Sequence, residues 1–133
     1  MERPAHPQQN GDVLVADDDA SISAMVTAVI TREGLRVERA ATGEDALVCI
    51  RSSDYSAILL DLMLPKRTGF DVLDCLRKSK PGHLKRVVVM TASPRQLKRL
   101  DVTELMGVLI KPFDIDDLRK LILTAVNHAR QSH

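Results

Sequence analysis

Aromatic side chains are scarce in this 133-residue chain, which has no tryptophan and only Tyr55, Phe70 and Phe113. Three scattered rings cannot build the stacking platforms that hold single-stranded nucleic acid. Excess positive charge is missing too: 19 Lys and Arg stand against 18 Asp and Glu, a net +1. That balance lacks the general attraction to phosphate backbones that DNA-binding domains carry, and no direct nucleic-acid binding is expected. Cysteine is limited to Cys49 and Cys75, without CxxC spacing. They read as two small hydrophobes on helices, not as a redox or zinc pair. No apolar run approaches the roughly 18–20 residues of a membrane span. The opening MERPAHPQQN has no apolar stretch of the kind a secretory signal needs. The expected location is the cytoplasm, with no membrane partner.

What is present is the balance of a folded globular domain, 44% hydrophobic and 28% charged residues. A chain of this length makes one domain and supports a core without disulfide or metal staples. Residues 1–11, with Pro4, Pro7, Gln8, Gln9 and Gly11, offer almost nothing to bury and read as a disordered tail. The folded domain is expected over residues 12–130. Charge is unevenly placed within it. Eight basic residues (Arg77, Lys78, Lys80, Lys85, Arg86, Arg95, Lys98, Arg99) and no acidic one lie between Asp74 and Asp101. Such a run is either a solvated basic face or a docking surface for an acidic partner.

Hydrophobic periodicity predicts five strands alternating with helices. Val13–Ala16, Ala57–Leu60 and Val87–Met90 are short continuous apolar runs, as strands buried on both faces require. Leu35–Ala40 alternates, and Val108–Ile110 is a last short strand. Helical spacing appears over 20–33, with Gly34 ending that helix, and again over 43–51 and 69–78. Asp114 is placed to cap a final helix that carries Leu118, Leu121, Ile122, Ala125 and Val126 on one face. The stretch from Thr91 to Lys111 is short for a full fourth helix. It predicts a short helix over 94–100, and Asp101 with Glu104 is a candidate capping box for a further turn. The predicted fold is α/β, a doubly wound (βα)5 unit: a five-stranded parallel sheet of order 2-1-3-4-5 with helices on both faces.

The polar residues that interrupt this pattern sit at one end of the strands. Asp17 and Asp18 follow the first strand, Asp61 the third, Thr91 the fourth and Lys111 the fifth. In a parallel sheet those ends share one edge, and strands 1 and 3 flank the point where the strand order reverses, where open α/β sheets bind ligands. Neighbouring carboxylates repel by up to about 4 kcal/mol per pair at an effective dielectric of 20, so the cluster requires a compensating cation. An all-oxygen set without His or Cys suits magnesium, not zinc. Lysine and threonine supply a point charge and a donor for phosphoryl oxygens. A carboxylate in such a site can act as a nucleophile and form an aspartyl phosphate. Asp61, alone on the central strand and facing the acidic pair, is the candidate nucleophile.

The motifs VLVADDD (13–19), ILLDLMLPKRTGFDVL (58–73), VVVMTAS (87–93) and IKPF (110–113) together resemble the receiver domain of bacterial two-component response regulators over residues 12–128. The resemblance implies that Asp61 is the phosphoacceptor. It implies that Asp18 and Asp61 bind Mg2+ directly with the backbone carbonyl of Met63, and that Asp17 holds a metal-bound water. It implies that Thr91 and Lys111 contact the phosphoryl group, helped by the amides of Leu62 and Ala92, and that the peptide before Pro112 is cis. The implied partners are a histidine kinase or phosphotransfer protein, which donates the phosphoryl group, and an unspecified downstream protein. The implied catalysis is confined to the domain's own phosphorylation and slow dephosphorylation. The chain departs from the family at position 108, where Val stands in place of the usual aromatic switch residue.

Three other readings remain. The sequence could be a receiver belonging to a larger hybrid kinase or transcription factor. It could be a pseudo-receiver that is never phosphorylated, against which the full Asp17, Asp18, Asp61, Thr91, Lys111 set speaks. It could be a metal-dependent hydrolase of similar fold. None of His6, His83, His128 and His133 falls at a strand's carboxyl end, which disfavours that last reading.

Overall fold

The computed structural model describes residues 12–131; the expected disordered tail over 1–11 lies outside them. The strands are β1 (Val13–Ala16), β2 (Val37–Ala40), β3 (Ala57–Asp61), β4 (Val87–Thr91) and β5 (Gly107–Ile110). The α-helices are α1 (Ala20–Arg32), α2 (Gly43–Ser52), α3 (Gly69–Ser79) and α4 (Ile115–Gln131). All strand pairs are parallel, and the sheet order is β2-β1-β3-β4-β5, as the sequence predicts.

The alternation of side chains along each strand splits the core into two layers. Leu14, Ile58, Leu60, Val87 and Val89 face the layer containing Ala46, Leu47 and Ile50 of α2 and Val72, Leu73 and Leu76 of α3. Val13, Val15, Leu59, Val88 and Met90 face the other, with Val26 and Ile30 of α1 and Leu118, Ile122, Ala125 and Val126 of α4. This is why β1, β3 and β4 are apolar at every position up to the closing Asp61 of β3 and Thr91 of β4: both of their faces are covered.

Helix ends follow local chemistry. The Asp19 carboxylate accepts from the amides of Ser21 and Ile22 and caps α1. Gly34, with φ +81°, turns the chain out of that helix. Thr68 and Asp71 form a reciprocal capping box on α3. Asp114 accepts from the Asp116 amide at the start of α4.

The fourth crossover differs from the (βα)5 expectation, because no α-helix forms between β4 and β5. Two 3-10 turns, Pro94–Arg99 and Val102–Glu104, take its place. Leu97 and Leu100, three residues apart, pack against the core, and a 3-10 turn stacks residues of that spacing on one side. The predicted capping box at Asp101 is half formed. Asp101 accepts from the Thr103 amide, but the Glu104 carboxylate turns away to pair with Arg77 of α3 at 2.7 Å.

The loop after β3 is seated on the start of α2. The amides of Gly43 and Glu44 donate to the carbonyls of Pro65 and Lys66 at 2.9 and 2.8 Å. These bonds hold Lys66 and Arg67 at φ +50° and +88°, a conformation that side chains disfavour. Gly43 permits the approach, since a Cβ there would lie 1.8 Å from the Arg67 carbonyl oxygen.

Candidate functional site

The register brings the strand ends together. Ala16 pairs with Leu60, so Asp17 and Asp61 leave the sheet side by side. Asp61 pairs with Met90, and Thr91, the next residue, pairs with Ile110, just before Lys111. Asp17, Asp61 and Thr91 are buried, whereas Asp18 is exposed at the mouth of the crevice.

The Lys111 ammonium lies 2.7 Å from Asp61 Oδ2 and 3.1 Å from Asp17 Oδ2. Burial alone would lower the pKa of Lys111, but its hydrogen bonds to Asp61 and Asp17 outweigh that and raise it. Asp17 is displaced upward: burial outweighs the lowering effect of the Asp19 amide, 2.8 Å from Oδ1, and of Lys111. Asp17, Asp18 and Asp61 each present a carboxylate oxygen, all within 4.8 Å of one another. One ammonium against three carboxylates leaves the crevice short of positive charge. An all-oxygen, electron-rich set of this spacing fits a hard divalent cation such as magnesium.

Two further contacts shape the site. The Met63 amide donates to Asp61 Oδ1 at 2.8 Å, fixing the carboxylate's orientation. The Leu62 amide, expected to face the reacting group, is instead taken up by the Met90 carbonyl at 3.1 Å, which extends the sheet ladder by one bond. The Lys111–Pro112 peptide is cis. Ala92, Lys111, Pro112 and Phe113 line an apolar hollow of about 500 Å³ with Ile22 and Met25 of α1.

Thr91 has partners that the sequence does not announce. Its hydroxyl donates to Gln96 Oε1 at 2.6 Å and lies 3.2 Å from the Ser93 carbonyl, while the Ser93 amide donates to Thr91 Oγ1 at 3.0 Å. The Gln96 amide nitrogen rests against the Met63 sulfur. Gln96 sits on the 3-10 turn Pro94–Arg99, within the short helix the sequence predicts, and only the folded path of that crossover brings its side chain to the site.

Comparison with known proteins agrees with this geometry. Residues 13–123 match the family model of the response regulator receiver domain. The transcriptional regulatory protein DltR of Streptococcus agalactiae is 32% identical over 108 residues, covering 80% of this chain and 47% of DltR. The chain thus spans less than half the length of that curated relative. Among solved structures, a CheY-like receiver domain from Methanospirillum hungatei superposes with a TM-score of 0.80 at 24% identity, covering 91% of this chain and 97% of that one, a likeness of fold. The response regulator TrrA of Thermotoga maritima, solved in complex with Mg2+-BeF, gives a TM-score of 0.75 at 26% identity, covering 85% and 96% of the two chains. With this sheet order, this acidic cluster and a family match over most of its length, the chain belongs to the response regulator receiver domain family.

Proposed function

We propose that residues 12–130 form a phosphoacceptor unit that takes a phosphoryl group onto Asp61 from a phosphohistidine of a histidine kinase or phosphotransfer protein. The observation that carries this reading is the Lys111 ammonium 2.7 Å from Asp61, in a crevice shared with Asp17 and Asp18. An Asp61 carboxylate oxygen attacks phosphorus, the P–N bond to the donor imidazole breaks, and the imidazole leaves with the electron pair. Lys111 places a fixed positive charge where the new phosphoryl oxygens collect. Thr91 lies on the neighbouring strand as a donor to the same group, and the Met63 amide holds the nucleophile in place.

Asp17, Asp18 and Asp61, with the Met63 carbonyl, are the residues that would hold Mg2+, Asp17 through a water. Bound there, the ion supplies charge neutralisation for the incoming phosphoryl group. Water later attacks phosphorus slowly, the P–O bond to Asp61 breaks, and inorganic phosphate leaves the free carboxylate behind. The chain's catalysis is confined to these two steps on its own side chain. The phosphorylated form then differs in its affinity for a downstream protein. The greater length of DltR supports a second, compatible reading in which this unit works as the receiver of a longer regulator.

The test is labelling by a small phosphodonor such as acetyl phosphate. The wild-type chain should incorporate one acid-stable, alkali-labile label with magnesium present, and Asp61→Asn should incorporate none. Full labelling of Asp61→Asn would place the acceptor elsewhere.

A further inference from the structure

Thr91 is fully buried, so its hydroxyl proton has no water to turn to. A threonine hydroxyl has a single proton to donate. That proton has two acceptors in reach, Gln96 Oε1 at 2.6 Å and the Ser93 carbonyl at 3.2 Å, and the shorter contact goes to Gln96. Phosphoryl oxygens are acceptors only. A phosphoryl group on Asp61, whose register partner Met90 immediately precedes Thr91, therefore competes with Gln96 for that one proton. The lone-pair contact from the Ser93 amide is compatible with either partner.

Gln96 belongs to the 3-10 turn Pro94–Arg99, which also carries Arg95, Lys98 and Arg99. Arg99 anchors the far end of this turn by lying over the Phe70 ring, 3.9 Å from its centroid. At the near end, Gln96 is tied to Thr91 and rests against Met63. Position 108 holds a half-buried Val with no hydroxyl or ring to relay a change.

We propose that Gln96 is the positioning residue that couples occupancy of the Asp61 site to the basic turn 94–99. In the free protein it holds the Thr91 proton and the near end of the turn. A phosphoryl group claims the proton, Gln96 is released, and the turn presenting Arg95 and Lys98 shifts. The proposal rests on the phosphoacceptor reading and adds to it the route by which the signal leaves the site.

Beryllofluoride with magnesium, a phosphoryl mimic, tests it on the full chain. On addition to the wild type, the amide resonances of residues 94–99 should move. Gln96→Met keeps length but removes the acceptor, so it should bind the mimic about 3–10-fold more tightly, as loss of one competing hydrogen bond predicts. Its affinity for magnesium alone should be unchanged, and its free-state 94–99 resonances should already lie toward the bound positions. Gln96→Glu retains an acceptor of the same reach and should show no such gain. Equal or weaker binding by Gln96→Met, a similar gain by Gln96→Glu, or unmoved 94–99 amides in the wild type would each overturn the coupling. If the wild type fails to bind the mimic at all, the phosphoacceptor reading fails, and the coupling with it.

Discussion

Lys111 and Asp61, fifty positions apart in the chain, meet at 2.7 Å across the carboxyl edge of the sheet. The same ammonium also reaches Asp17, so one cation serves two buried carboxylates. Lys111→Ala leaves both without their counter-charge. It should lower unfolding stability at neutral pH by about 1–3 kcal/mol in metal-free buffer, read by urea denaturation. Magnesium should stabilise this variant more than it stabilises the wild type, because the ion then replaces the positive charge that Asp17 and Asp61 have lost. Equal magnesium increments in the two proteins would contradict that charge balance.

Magnesium should raise the melting temperature of the wild-type chain through its binding to the folded form alone. At a hundred times the dissociation constant this amounts to about 2.7 kcal/mol. Asp18→Ala removes the exposed carboxylate of the cluster without disturbing the core. It should leave the metal-free melting temperature nearly unchanged and abolish the magnesium increment. Differential scanning calorimetry with and without magnesium reads both.

His83 introduces a pH dependence remote from the site. Burial, reinforced by the charge of Arg86, holds its pKa below the ordinary histidine value. The folded state therefore resists a proton that the unfolded state accepts. Its contribution to stability is fully present above the unfolded value, about 6.5, and is lost as pH falls through the folded one. Wild-type stability should decline below that pH, and His83→Gln should flatten the decline. Parallel pH profiles of the two proteins would rule out this assignment.

Gly43 sets the seat of the loop that follows Asp61. A methyl group there meets the Arg67 carbonyl oxygen at 1.8 Å, and backbone cannot yield as a flexible side chain would. Gly43→Ala should destabilise the fold by about 1–3 kcal/mol, the usual range for overpacking. It should also disturb the Met63 amide that orients Asp61, visible as a shifted Met63 resonance. A fully stable Gly43→Ala protein would mean that the loop can be reseated without loss.

The sequence alone determined the element order, the two-faced burial of β1, β3 and β4, and the residues that close their carboxyl ends. Side-chain periodicity is a local property: a run such as Val13–Ala16 declares a doubly covered strand wherever it finally lies. Parallel pairing then forces Asp17, Asp18, Asp61, Thr91 and Lys111 onto one edge, so the candidate site was legible without coordinates. Tertiary structure alone decided which partner each polar group takes. Glu104 pairs with Arg77, not with its own turn, because α3 lies within reach. The Leu62 amide turns to Met90 because β4 runs alongside. Lys66 and Arg67 adopt positive φ because α2 offers two free amides to hold them. Gln96 reaches Thr91 because the short crossover folds back as a 3-10 turn. These choices depend on distances between loops that carry no repeating pattern, and a hydrogen bond forms only where the packed core brings donor and acceptor within about 3 Å.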